Sequence, residues 1–86
     1  MEPETEDTKL VAALRLLLAA DDSGEPMDNE GLAKKLGWDL GQTGDCLRVA
    51  KERSLIWASR GSRQPGPWFS EIEVTMQGRR FLRDSS

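Results

Sequence analysis

The stretch from Leu32 to Ile56, LAKKLGWDLGQTGDCLRVAKERSLI, leaves this chain few folds to choose from. Leu32, Ala33 and Leu36 give a first short helix an apolar face, and Leu47 and Ala50 anchor a second. Gly37 breaks the pattern between them. Asp39 suits an N-cap, because its carboxylate can accept from N–H groups left open in the next helical turn, and Gln42 three residues on completes a capping-box spacing. The stretch therefore reads as two short helices joined by a tight turn, with Trp38 as an apolar plug between them. The second of these helices is expected over about Leu40 to Arg53, with Ser54 near its C-terminal end.

The remaining segments arrange themselves around that pair. Met1 to Asp7 (MEPETED) is polar and acidic and reads as a disordered lead-in. From Thr8, Leu10, Ala13, Leu14, Leu17 and Leu18 recur at helical spacing, with Val11 widening the stripe and Thr5, Asp7 or Thr8 able to cap it. Asp21 to Pro26 (DDSGEP) ends this helix in turn-forming residues. Asp28 is the expected N-cap of the next one, which puts Met27 and Leu32 at the positions of a hydrophobic staple.

Past Ser54, the run LIWASR (55–60) is β-like, GSRQPGP (61–67) can only be a loop, and WFSEIEV (68–74) alternates. Strict alternation puts Trp68, Ser70, Ile72 and Val74 on one side and Phe69, Glu71 and Glu73 on the other. Phe69 would then face outward, as an aromatic at an interface does. Thr75 can cap a last short helix, Met76 to Arg83, whose Phe81 and Leu82 return to the core. The expected architecture is one α+β domain over residues 8–83: three helices, a two-stranded hairpin and a short C-terminal helix, between the acidic lead-in 1–7 and a tail, 84–86.

Composition narrows the chemistry. A chain of 86 residues has room for one small core, and one of this size buries about 60 % of the surface its unfolded form exposes. Its apolar runs, Leu16 to Ala20 among them, are no longer than five residues, far short of the roughly twenty that span a bilayer. The acidic N-terminus is unlike the basic start of a secretory signal, so the expected location is the cytoplasm. Cys46 is the only cysteine, and histidine and tyrosine are absent. No intrachain disulfide or thiolate zinc site can be assembled, and the commonest general base and imidazole metal ligand are missing. No metal or cofactor is expected. The remaining carboxylates show no paired acid–base spacing, and GSRQPGP lacks the lysine-Ser/Thr ending of a P-loop, so catalysis is not expected.

The net charge of −3 conceals an asymmetry. Residues 1–30 carry two basic against nine acidic side chains, whereas residues 31–83 carry ten basic against five acidic. Because electrostatic fields decay within about 8–10 Å at ordinary salt, a polyanion would meet the second part as a cationic surface. Cys46 reads as a small filler on the third helix.

The order helix, helix-turn-helix, hairpin, short helix resembles the winged helix-turn-helix family of DNA-binding domains over residues 8–83. LAKKLGW looks like the family's first helix and turn, ERSLI resembles its "E-x-G-L-I" run into the wing, and EVTMQGRRFL is similar to its "L-T-x-x-G-R-x-x-L" approach to a closing helix. The resemblance implies a third helix in the major groove with Gly41, Gln42, Gly44 and Asp45 toward base edges, and a wing touching backbone or minor groove. Two glycines make no side-chain readout, and Asp45 can accept only from a donor such as cytosine N4. Gln42 can read adenine or fold back as the capping-box partner of Asp39.

Phosphate contacts are better supplied. Lys34 and Lys35 belong to the second helix, Arg48, Lys51 and Arg53 to the third, and Arg60 and Arg63 flank the wing, where arginine can grip a phosphate bidentately or enter a narrow minor groove. Arg79, Arg80 and Arg83 could flank the same face or favour the end of a helix dipole. The resemblance thus implies a non-catalytic module that binds double-stranded DNA, as a transcriptional regulator or accessory protein. The alternative is a winged helix that binds a protein and has little DNA affinity, since fold does not dictate function. The first helix could also pair with its counterpart in a second chain as a homodimer.

Overall fold

The computed structural model describes residues 6–25, 27–61 and 67–85. Four helices and one antiparallel hairpin follow in the order α1 (Glu6–Ser23), α2 (Asn29–Leu36), α3 (Leu40–Glu52), β1 (Ile56–Gly61), β2 (Trp68–Val74) and α4 (Met76–Ser85). This is an α+β arrangement of winged-helix form. Helix α1 is the hub and packs against α2, α3, α4 and β2. Leu10, Leu14 and Leu17 of α1, Leu32 of α2 and Leu47 of α3 are fully excluded from solvent and form the centre of one apolar core. Trp38, expected as a plug between α2 and α3, is half-buried and packs against that core.

Local sequence signals set the helix starts. Asp28 caps α2 by accepting from the Gly31 N–H at 2.9 Å, and Asp39 caps α3 by accepting from the Gln42 N–H at 2.7 Å. The Thr75 hydroxyl accepts from the Gly78 N–H at 3.0 Å to start α4, and donates to the Ser54 carbonyl at 2.6 Å, which ties α4 to the end of α3. Met27 and Leu32 are both buried, in keeping with a staple.

The helix ends differ from expectation in three places. Helix α1 begins at Glu6, so Glu6 and Asp7 are helical rather than part of a lead-in, and it continues through Asp21, Asp22 and Ser23. Gly24, at φ +71°, is what stops it: the Gly24 and Glu25 N–H groups close back on the Asp21 and Ala20 carbonyls. Helix α4 continues to Ser85, past the expected boundary at Arg83. At the end of α3 the same closing pair of bonds runs from Ser54 to Lys51 and from Leu55 to Ala50, but here a serine adopts the left-handed conformation, at φ +61°.

The hairpin contradicts the strict alternation. Ile56 pairs with Val74 and Trp57 with Glu73, but Ser59 pairs with Ser70, so two steps along β1 match three along β2. The extra residue is a β-bulge, and Glu71 within it has φ +51°. A bulge inverts the parity of everything beyond it. Phe69 is therefore only 3 % exposed and belongs to the core together with Ile72 and Val74. The outward aromatic of the hairpin is Trp57 instead, 58 % exposed between inward-facing Ile56 and Ala58.

Candidate nucleic-acid interface

The base of the wing is locked to the helix pair by one buried amide. Asn29, the first residue of α2, is fully excluded from solvent; its Nδ2 donates to the Pro67 carbonyl and its Oδ1 accepts from the Phe69 N–H, both at 2.8 Å. Gly44 of α3 comes against the same spot: a Cβ there would stand 2.7 Å from the Pro67 oxygen and 3.2 Å from Asn29 Nδ2. The missing side chain lets α3 seat directly on the strand that returns from the wing. Gly44 is accordingly buried, and cannot face bases as the family resemblance implied.

Two more bonds cover the outer edge of β2, from the Ile72 N–H to the Met27 carbonyl at 3.4 Å and from the Val74 N–H to Asp21 Oδ2 at 3.0 Å. With Phe69 to Asn29, three N–H groups along this edge are bound by the α1–α2 segment, which keeps the edge from pairing with another strand.

Seated this way, α3 and the hairpin enclose a groove of about 400 Å³ lined by Arg48, Lys51, Glu52, Arg60, Pro67 and Phe69. Three of the cations expected to grip phosphate meet here, two from α3 and one from β1. Arg60 and Arg48 are exposed, and Arg48 lies 3.4 Å from Glu52 one helical turn on. Lys51 is more constrained: its Nζ donates to the Ala58 carbonyl at 3.2 Å and sits 5.6 Å from the centre of the Phe69 ring. It contributes positive charge to the groove from a fixed position.

The other expected cations lie elsewhere. Arg53 points to the opposite side of α3, where its guanidinium is 3.1 Å from Asp7 Oδ1 and stacks over Phe81 at 5.1 Å. Lys35 lines a different groove, between α2 and β2, with Glu25, Asp28 and Glu71. Lys34 is exposed on α2. Arg63 is outside the described residues. Gln42 is half-buried in the first turn of α3, and the outer stripe of that helix runs Gly41, Asp45, Arg48, Glu52, one guanidinium between two carboxylates. Positive charge thus gathers where α3 meets the wing, not along the helix.

Asn29 and Trp57 escaped the sequence reading. Asn29 follows a cap and looks like any solvated first-turn residue, so nothing local marks it; Trp57 needs the inward parity of Ile56 and Ala58 to be known first. Among the described residues, no group of three or more His, Cys, Asp or Glu side chains is placed to hold a metal ion, and no helix is long and apolar enough to cross a membrane. Comparison with protein-family models, curated proteins and solved structures yields no match to this chain.

Proposed function

We propose that this domain is a cytoplasmic, non-catalytic DNA-binding module, a transcriptional regulator or accessory protein that grips backbone phosphates in the groove between α3 and the wing. The observation that carries the reading is the convergence of Arg48, Lys51 and Arg60 from two elements onto one groove. Phosphate oxygens suit such a cluster, since exposed guanidiniums bind them bidentately and an anchored ammonium adds a point charge. Gly41 and the carboxylates of Asp45 and Glu52 on the outer face of α3 offer little base readout, so affinity for duplex DNA should be mostly sequence-independent and steeply dependent on salt.

The test is fluorescence anisotropy of the protein with a labelled mixed-sequence duplex across a salt series. Replacing Arg48 and Arg60 together with alanine should weaken binding and reduce the log–log salt slope by about two, roughly one counterion for each lost phosphate contact. An unchanged slope would refute the assignment of the groove.

A protein-binding winged helix is the second reading, favoured by the Asp45 and Glu52 carboxylates on the exposed face of α3. It predicts no binding to the duplex even at low salt.

A further inference from the structure

The other side of the hairpin has the opposite character. Whereas Trp68 is 4 % exposed, Trp57, the second residue of β1, is 58 % exposed. Its cross-strand partner is Glu73, so the indole and this carboxylate stand on the same outer face of the sheet. Glu71, exposed in the bulge, and Glu73 both also line a groove of about 400 Å³ along the covered edge of β2. Asp21 and Glu25 complete its acidic lining, and among the described residues it contains no basic side chain. A flat aromatic surface thus continues into a channel of four carboxylates.

From this we infer that the outer face of the hairpin docks an arginine-bearing segment of a partner protein, the guanidinium lying on Trp57 and bonded by Glu73. The proposal goes beyond the DNA reading and does not depend on it. Charge decides the class of occupant: the carboxylates repel a nucleic acid and attract a cation. The shape of the surface decides the cation. A guanidinium can stack on an indole and still present its edge to a carboxylate, whereas an ammonium is a compact, strongly hydrated charge that gives up more water to lie on a ring.

The experiment is an NMR titration of the ¹⁵N-labelled protein, at physiological salt, with the blocked peptide Gly-Arg-Gly-Arg-Gly and its lysine and citrulline counterparts. Saturable shifts are expected in the Trp57 indole N–H and in the amides of Glu71, Ile72 and Glu73, with the Trp38 and Trp68 indoles unmoved. The lysine peptide should bind several-fold more weakly and the citrulline peptide not at all. Trp57→Leu, a change at an exposed site, should lower affinity at least about fivefold, the order expected for a lost cation–π contact. Glu73→Gln should lower it as well, while Asp45→Asn and Glu52→Gln should leave it unchanged. Shifts spread over carboxylates across the whole surface, or equal binding by Trp57→Leu, would overturn the proposal. So would sedimentation showing that a second copy of the chain covers Trp57.

Discussion

Two glycines on α3 make opposite predictions for the same substitution. Alanine is preferred over glycine inside a helix by about 1 kcal/mol, so Gly→Ala on an open helix surface should stabilise. Gly41 meets that condition: a Cβ would find only Asp39 Oδ1, at 3.4 Å, an ordinary contact. Gly41→Ala should stabilise by about 0.5–1 kcal/mol, the lower figure allowing for its place in the first turn. At Gly44 the same methyl would lie 2.7 Å from a backbone oxygen of Pro67 and 3.2 Å from Asn29 Nδ2.

Neither neighbour of Gly44 is a flexible side-chain end that can swing aside. Relief requires α3 to lift off the wing, which lengthens the bond between Asn29 and Pro67. Overpacking costs about 1–3 kcal/mol and a buried polar pair pulled apart a similar amount. After the gain in helix propensity, Gly44→Ala should destabilise by about 1–5 kcal/mol. Urea unfolding followed by tryptophan fluorescence gives both values, and a thermal melt should separate the two variants by more than about 5 °C, at roughly 4–8 °C per kcal/mol for a domain this small. If Gly44→Ala proves as stable as Gly41→Ala, the close seating of α3 on the wing is wrong.

Ser54→Gly should stabilise by about 0.5–1 kcal/mol, because glycine adopts the left-handed conformation without the cost to a side-chain-bearing residue of about 1–2 kcal/mol, less its greater unfolded-state entropy; chemical denaturation checks it. Asn29→Ala removes both bonds of the buried amide and should cost about 2–4 kcal/mol, read by the same method, with slowed hydrogen exchange at the Phe69 amide lost. Arg53→Ala breaks an exposed ion pair worth less than about 1 kcal/mol and, being away from the groove, should leave both DNA affinity and its salt slope unchanged in the anisotropy titration.

What was legible in the sequence was local. Caps at Asp28, Asp39 and Thr75 are recognisable because each acts on N–H groups within its own next turn, and the apolar stripes of α1 and α3 report the core they face. The alternation of β2 failed for a non-local reason: the bulge at Glu71 exists only in the pairing with β1, and a parity inferred on one side of it does not carry to the other. Phe69 turns inward as a result. The candidate site divides along the same line. That residues 31–83 carry a positive balance could be read from charge counts, but that Arg60 of β1 would meet Arg48 and Lys51 of α3 could not. Helical spacing puts Arg48 and Lys51 on one face of α3 and Arg53, two residues further, nearly opposite, but only the packing of the other elements decides that the first pair faces the wing and that Arg53 meets Asp7 and Phe81.

The two surfaces share the hairpin, and that sharing has a physical consequence. Arg60 on β1 looks into the cationic groove, and Trp57, three residues earlier, looks out from the opposite face beside Glu73. A polyanion approaching at random is repelled from the carboxylate side and drawn toward the groove, so the polarity of the domain would orient it on DNA before any close contact forms. Held in that orientation, the acidic outer face points away from the duplex and stays open to a cationic segment. DNA and an arginine-bearing partner would then bind together rather than compete, and saturating duplex should leave the Trp57 peptide affinity intact or raise it. Mutual exclusion would mean that the two occupants use one surface, and would remove the basis for assigning the groove and the outer face to different partners.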